Sequence, residues 1–144
     1  MPARQAHKRA TVLVAPATGL LVGLVTGDLV AGLAAWAGGL ATLAIHPDLD
    51  VLESSFHRKM SRGGLALVWW LLWLPYAKSL RHRGPFSHWP VIGTIGRVVY
   101  VGWLPVMALL TFYHGSLDNL WLFASFLVLG MMVSDTVHWF MDQL

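Results

Sequence analysis

Four long apolar runs divide the chain, and short polar segments separate them. The runs cover residues 10–26, 29–45, 91–113 and 120–140. A membrane-spanning helix needs roughly 17–25 apolar residues, so each run is long enough to cross a bilayer. The pattern predicts an all-α integral membrane protein with a four-helix transmembrane bundle, in which residues 1–144 form a single membrane domain.

A fifth apolar segment, residues 65–80, is too short to cross. It is rich in tryptophan and ends in Pro75-Tyr76-Ala77-Lys78. Trp, Tyr and Lys favour the membrane–water interface, so we expect a short Trp-rich interfacial or re-entrant helix here. If this segment crossed instead, the polar residues before and after it would lie on opposite sides of the membrane.

The composition agrees with a membrane location. The chain is 56% hydrophobic and 12% charged, with a mean hydropathy of +0.60, outside the usual range of soluble domains. A basic start before a short apolar run also describes a signal peptide. Pro16 and glycines interrupt that run, however, and no clear cleavage site follows, so we interpret it as a span.

The basic residues predict the orientation. If residues 65–80 do not cross, all 10 Lys and Arg lie on or toward one side, and the turns at 27–28 and 114–119 lie on the other. Cytoplasmic segments are enriched in Lys and Arg. We therefore expect this side to face the cytoplasm, across the inner membrane or a related internal membrane. The lipid bilayer is the expected partner, and no nucleic acid is expected, because the basic residues flank apolar runs.

The same side collects His and Asp residues. His82 and His88 bracket a Gly-Pro turn that can direct both imidazoles toward one point, and the sequence His46-Pro47-Asp48-Leu49-Asp50 follows the second run directly. Rows of small residues at every fourth position lead to further candidates. These rows are His7, Thr11, Ala15, Gly19, Gly23; Ala34, Gly38, Thr42, His46; and Gly130, Ser134, His138, Asp142. Such rows let membrane helices approach closely, so we expect their polar ends to converge.

Asp135 lies three residues before His138, at membrane depth, where an ionised carboxylate needs a partner. A metal or a histidine would supply one, and an ion pair with Arg97 or Arg83 is the alternative. For Asp48 and Asp50 we favour metal ligation over a solvated loop. We expect His57 to lie in a solvated loop and His114 to be an ordinary turn residue.

The donor types predict the metal. The chain has no cysteine, so His and carboxylate side chains must supply the ligands. Zinc suits this set best, with manganese or iron(II) as alternatives. The predicted ligands are His7, His46, Asp48, Asp50, His82, His88, Asp135 and His138. They exceed the roughly four ligands of a structural zinc, so two or three metals are expected.

Several motifs resemble those of a known family. Residues 69–100 contain W-W-x2-W-x-P-Y-x-K, H-R-x3-S-H and G-T-x2-R-x2-Y, and H-x3-T, P-D-L-D and D-x2-H occur elsewhere. Together they resemble an uncharacterised family of metal-binding integral membrane proteins over nearly the whole chain. That family is similar to the YdjM-like inner-membrane metal-dependent hydrolases, and those more distantly resemble all-helical zinc phospholipases C and single-strand nucleases. The resemblance implies metal ligands at His7, Asp48, Asp50, His82, His88, Asp135 and His138.

The function that follows is a metal-dependent hydrolase of phosphodiester or lipid-phosphate substrates, with Arg83 and Arg81 holding the phosphate. The hydrolase family spaces its paired histidines by five residues and this chain by six, so the resemblance supports metal binding better than hydrolysis. The main alternative is a non-catalytic accessory subunit of a larger membrane complex or homo-oligomer, with a structural metal site. Metal transport would need polar residues through the full bundle, and a haem site would need opposed histidines at mid-span.

Overall fold

The computed structural model describes residues 4–51, 64, 66–82, 84–112 and 118–143. All regular structure within these ranges is helical, which confirms the all-α part of the predicted fold class. The elements are α1 (Arg4–Thr26), α2 (Leu29–Ala41), a short 3-10 helix η1 (Pro47–Asp50), α3 (Ala66–Ser79), α4 (Pro85–His88), α5 (Ile92–Phe112) and α6 (Asp118–Gln143). The predictions for His57, Arg83 and His114 fall outside the described residues.

α1 and α2 form a helical hairpin with a tight turn between them. Gly27 adopts a φ of 66°, a left-handed conformation that glycine reaches without steric cost. Asp28 then caps α2, and its Oδ1 accepts a hydrogen bond from the Val30 amide at 2.8 Å. This bond satisfies one of the free amides at the start of the helix, and the turn occurs where the sequence predicts it.

Small residues hold α1, α2 and α6 together. Gly19 of α1 faces Gly32 of α2, and Gly39 of α2 faces Ala15 of α1. A β-carbon at Gly38 or Gly130 would overlap the backbone of the opposite helix across the α2–α6 contact. The predicted rows of small residues therefore lie at real helix contacts, and this packing brings the polar ends of the three helices together.

α2 is shorter than the predicted second span. It has 13 residues, about 20 Å at 1.5 Å per residue, whereas the hydrocarbon layer is about 30 Å thick. After Ala41 the backbone tightens, and the amide of Leu43 bonds to the carbonyl of Leu40 at 3.0 Å. Pro47 then places His46 in an extended conformation, with φ −93° and ψ 164°. The chain leaves the helix before the apolar pattern ends.

α3 packs against η1. Leu49 of η1, with Trp73 and Tyr76 of α3, forms a buried cluster, and the hydroxyl of Tyr100 in α5 donates to the carbonyl of Leu72. α3 has 14 residues, about 21 Å of helix. This packing of α3 fixes η1, which carries two of the candidate carboxylates. The location of α3 at a membrane interface stays a prediction.

Two segments in the described part of the chain are long and apolar enough to span a membrane, Gln5–Thr26 and Asn119–Gln143. Length and composition alone define them. The four-helix transmembrane bundle therefore remains a prediction, although α5, at 21 residues, packs beside α6.

Candidate metal centre

The candidate site forms where several helices begin or end. His7 lies near the start of α1, His46 precedes η1, and His82 precedes α4. The remaining members are Asp48 and Asp50 of η1, His88 of α4, and His138 and Asp142 near the end of α6. The structure thus brings all the predicted ligands together except Asp135, and it adds Asp142.

The first donor group consists of His7, His138 and Asp142. The two Asp142 oxygens lie 3.6 Å from His7 Nε2 and 3.4 Å from His138 Nε2, and the imidazole centres are 4.3 Å apart. Asp142 follows His138 by one helical turn, in the row of small residues that ends at this site. That spacing was the signal for Asp142, which the predicted ligand set omitted.

The second donor group consists of Asp50, His82 and His88. Asp50 is buried, and its oxygens lie 2.9 Å from His82 Nδ1 and 3.6 Å from His88 Nδ1. The imidazole rings of the two histidines are 4.8 Å apart and perpendicular to each other. The turn at Gly84-Pro85 therefore directs both histidines toward one carboxylate, as their spacing predicts.

Asp48 lies between the two groups. Its Oδ1 is 3.3 Å from His88 Nε2, and its Oδ2 is 3.9 Å from His138 Nε2. His46 Nδ1 also lies 3.8 Å from Oδ2. One carboxylate therefore faces a histidine from each donor group, so both groups could use it as a ligand.

The environment of Asp48 favours its ionised form. Burial alone would raise the pKa of Asp48, but a hydrogen bond with His88 and the charges of His138, His46 and His88 outweigh it and hold the pKa well below its usual range. The carboxylate is therefore available as an anionic ligand at any physiological pH.

The residues present fit a divalent metal. In a tetrahedral site with bonds of about 2.1 Å, donor atoms lie about 3.4 Å apart, and four of the contacts above measure 3.3–3.6 Å. Among the described residues, the buried atoms without a hydrogen-bond partner include His138 Nε2 and Asp50 Oδ2. Leaving such atoms unsatisfied costs roughly 1–3 kcal/mol each, and coordination to a metal would satisfy them.

Asp135 has a different environment from the one predicted for it. Its carboxylate is buried against Arg97, which donates to it from one guanidinium nitrogen, and the Thr94 hydroxyl donates to the same oxygen. The structure therefore favours the ion-pair alternative. Arg97, an isolated cation inside an apolar run, was one of the partners that the sequence offered.

A comparison with protein families matches residues 2–144 to the family described as "Uncharacterized metal-binding protein (DUF2227)". The chain belongs to the DUF2227 family. No curated protein and no solved structure matches it. The predicted membership of a metal-binding family is confirmed. For this DUF2227 protein, the kinship with YdjM-like hydrolases and the membrane location stay predictions.

Proposed function

We propose that this DUF2227 protein is a membrane-embedded, metal-dependent hydrolase of phosphodiester or lipid-phosphate substrates, with a two-metal centre at the cytoplasmic interface. The observation that carries the proposal is that Asp48 connects the two donor groups and that part of this centre is exposed to solvent. The Asp48 and His82 side chains are 40% and 45% exposed. Structural metal sites are closed, whereas catalytic sites keep a position open for water or substrate.

The donors divide naturally between two ions. His7, His138 and Asp142 would hold one, Asp50, His82 and His88 would hold the other, and Asp48 would bridge them. Zinc suits these nitrogen and oxygen ligands best, with manganese or iron(II) as alternatives. When bound, two such ions supply a water of lowered pKa and stabilise the attacking and leaving oxygens of a phosphoester.

Cations near the donor groups would attract a phosphate. Lys8 and Arg9 are exposed beside His7, and Arg81 is exposed beside His82. Guanidinium groups match phosphate oxygens in geometry and charge. Arg81 is the described residue we assign to substrate phosphate, and the matching role of Arg83 remains a prediction.

The apolar surface supports a bilayer location. Only 28% and 22% of the residues in the apolar windows of the two candidate spans are buried, and side chains such as Leu13, Leu24 and Val25 are more than two-thirds exposed. Surfaces of this extent are unfavourable in water and suit lipid. The described cations Lys8, Arg9, Lys78 and Arg81 flank the metal end, which supports a cytoplasmic orientation.

A lipid-phosphate substrate is supported by an apolar slot beside the centre. A cavity of about 380 Å³ is lined by Trp89, Pro90, Val91, Ile92 and Trp139. Trp89 directly follows His88, and Trp139 directly follows His138. Alkyl chains fit apolar slots of this size, so a phosphate at the metals would leave its chain beside the two tryptophans.

The experiment is hydrolysis of bis-p-nitrophenyl phosphate and of phosphatidic acid in mixed micelles by detergent-purified, zinc-loaded protein. We expect hydrolysis that Asp48→Asn abolishes and the matched variant Asp28→Asn leaves intact, because Asp28 lies at the opposite end of α2 and Asn also caps helices. A higher turnover of the lipid would identify lipid phosphate as the substrate class. If Asp48→Asn hydrolysed the substrates as fast as Asp28→Asn and the wild type, this result would contradict the proposed centre.

The second candidate function is an accessory subunit with a structural metal. The burial of His88 (4%) and Asp50 (7%) favours it, because part of the centre is closed. In that case the protein would bind metal and lose thermal stability on chelation, but it would hydrolyse neither substrate. Its exposed apolar surface would then contact other subunits of a larger complex or of a homo-oligomer.

A further inference from the structure

Arg97 is a fully buried cation (0% exposed) with two separate partners. One terminal nitrogen donates to the Ser87 carbonyl at 2.6 Å, and the other donates to the Asp135 carboxylate. The Thr94 hydroxyl, one turn earlier on α5, lies within hydrogen-bonding distance of Asp135 and of the Pro90 carbonyl. α5 therefore connects the 84–90 segment to α6 through one buried network.

Both partners of Arg97 stand next to a candidate ligand. Ser87 directly precedes His88, and its hydroxyl oxygen lies 3.2 Å from His88 Nδ1. Asp135 lies one helical turn before His138. His88 and His138 are the histidines on either side of Asp48, one from each donor group, and their ring centres are 6.3 Å apart.

From this geometry we infer that Arg97 is a positioning residue that, together with Asp135, fixes the separation of His88 from His138 and thereby the spacing of the two donor groups across Asp48. The inference rests on the two-metal centre proposed above. It explains why the G-T-x2-R motif carries a charge inside an apolar helix, where an unpaired cation is strongly unfavourable. The planar guanidinium can bond two partners in fixed directions, which a lysine ammonium does less well.

A purely structural role for the pair predicts something different. Replacing a buried ion pair by apolar residues of similar volume is often neutral or stabilising, whereas removing one partner leaves a buried charge. The double variant Arg97→Met/Asp135→Leu therefore removes the connection between the two segments and keeps the packing. If the pair only stabilised the fold, this variant would bind metals as the wild type does.

The experiment measures zinc affinity and stoichiometry in buffered free zinc, and Mn(II)–Mn(II) coupling by EPR. For the double variant we expect one of the two ions to bind about 10–100-fold more weakly, the range seen for outer-shell partners of metal ligands, and the Mn(II) coupling to be lost. Thr136→Val is the matched control on α6, because among the described residues the Thr136 hydroxyl bonds within its own helix, to the Met132 carbonyl.

The outcomes separate this inference from the proposed function. Two ions with wild-type affinity and coupling in the folded double variant would overturn the positioning role alone. No metal in the wild type would overturn it together with the centre. If the double variant does not fold, Arg97→Lys tests the inference instead. It keeps the positive charge but lacks the two terminal guanidinium nitrogens that bond Ser87 and Asp135, so it should show the same loss of Mn(II) coupling.

Discussion

His88 and Asp48 are 40 residues apart in the sequence, yet His88 Nε2 lies 3.3 Å from Asp48 Oδ1. This contact joins α4 to η1, and the second Asp48 oxygen extends it to His138 on α6. Three chain segments thus meet at one carboxylate. Asp48 is therefore the residue that connects the two donor groups, and the proposed metal centre depends on it.

Asp142 should be a ligand of one ion only. Because it contacts His7 and His138 but no member of the second donor group, Asp142→Ala should lower the metal content from about two ions per chain toward one. Elemental mass spectrometry on the purified protein measures this. Gln143→Ala is the control, because Gln143 is the exposed neighbour on the same helix. A metal content equal in both variants would exclude Asp142 from the centre.

Asp48 should stabilise the metal-free protein in a pH-dependent way. Its pKa is lowered in the folded state, so its ionised form stabilises the fold above the unfolded pKa of about 3.9, and this contribution is lost as the pH falls below that value. Thermal unfolding of chelated wild type and Asp48→Asn should therefore differ by a constant amount at pH 5 to 6, and the difference should shrink progressively below about pH 3.9. A difference that grew as the pH fell would contradict this assignment.

Close helix packing should make Gly130 intolerant of a side chain. A β-carbon there would overlap the backbone of α2 at Ala35, so Gly130→Ala should destabilise the protein by about 1–3 kcal/mol. Gly102→Ala is the matched control, since a β-carbon at Gly102 meets no atom of the described residues within 4 Å and alanine is the better helix former. Thermal unfolding in detergent compares the two. Equal unfolding temperatures would show that the α2–α6 contact is looser than the structure has it.

The convergence of ligands was predictable because it follows from periodicity. Rows of small residues at every fourth position indicated which helix faces meet, and His7, His46 and His138 end those rows. The Gly84-Pro85 turn likewise predicted that His82 and His88 approach each other. These are local features, and local spacing determines them.

The differences between prediction and structure concern features that depend on tertiary contacts. The apolar pattern continues to Ile45, but α2 ends at Ala41, where the backbone tightens into turns ahead of Pro47. The partner of Asp135 could not be chosen from the sequence, since a histidine one turn away and a cation on another helix were both available. Only the packing of α5 on α6 places Arg97 beside that carboxylate.

The most direct measurement is the metal content of detergent-purified protein beside an Asp48→Ala/His138→Ala double variant, which removes the bridging carboxylate and a histidine of the first group. We predict about two zinc or manganese ions per chain in the wild type and their loss in the variant, with helical content unchanged by circular dichroism. Absence of metal from both proteins would contradict the centre and leave its His and Asp residues as a network of ion pairs.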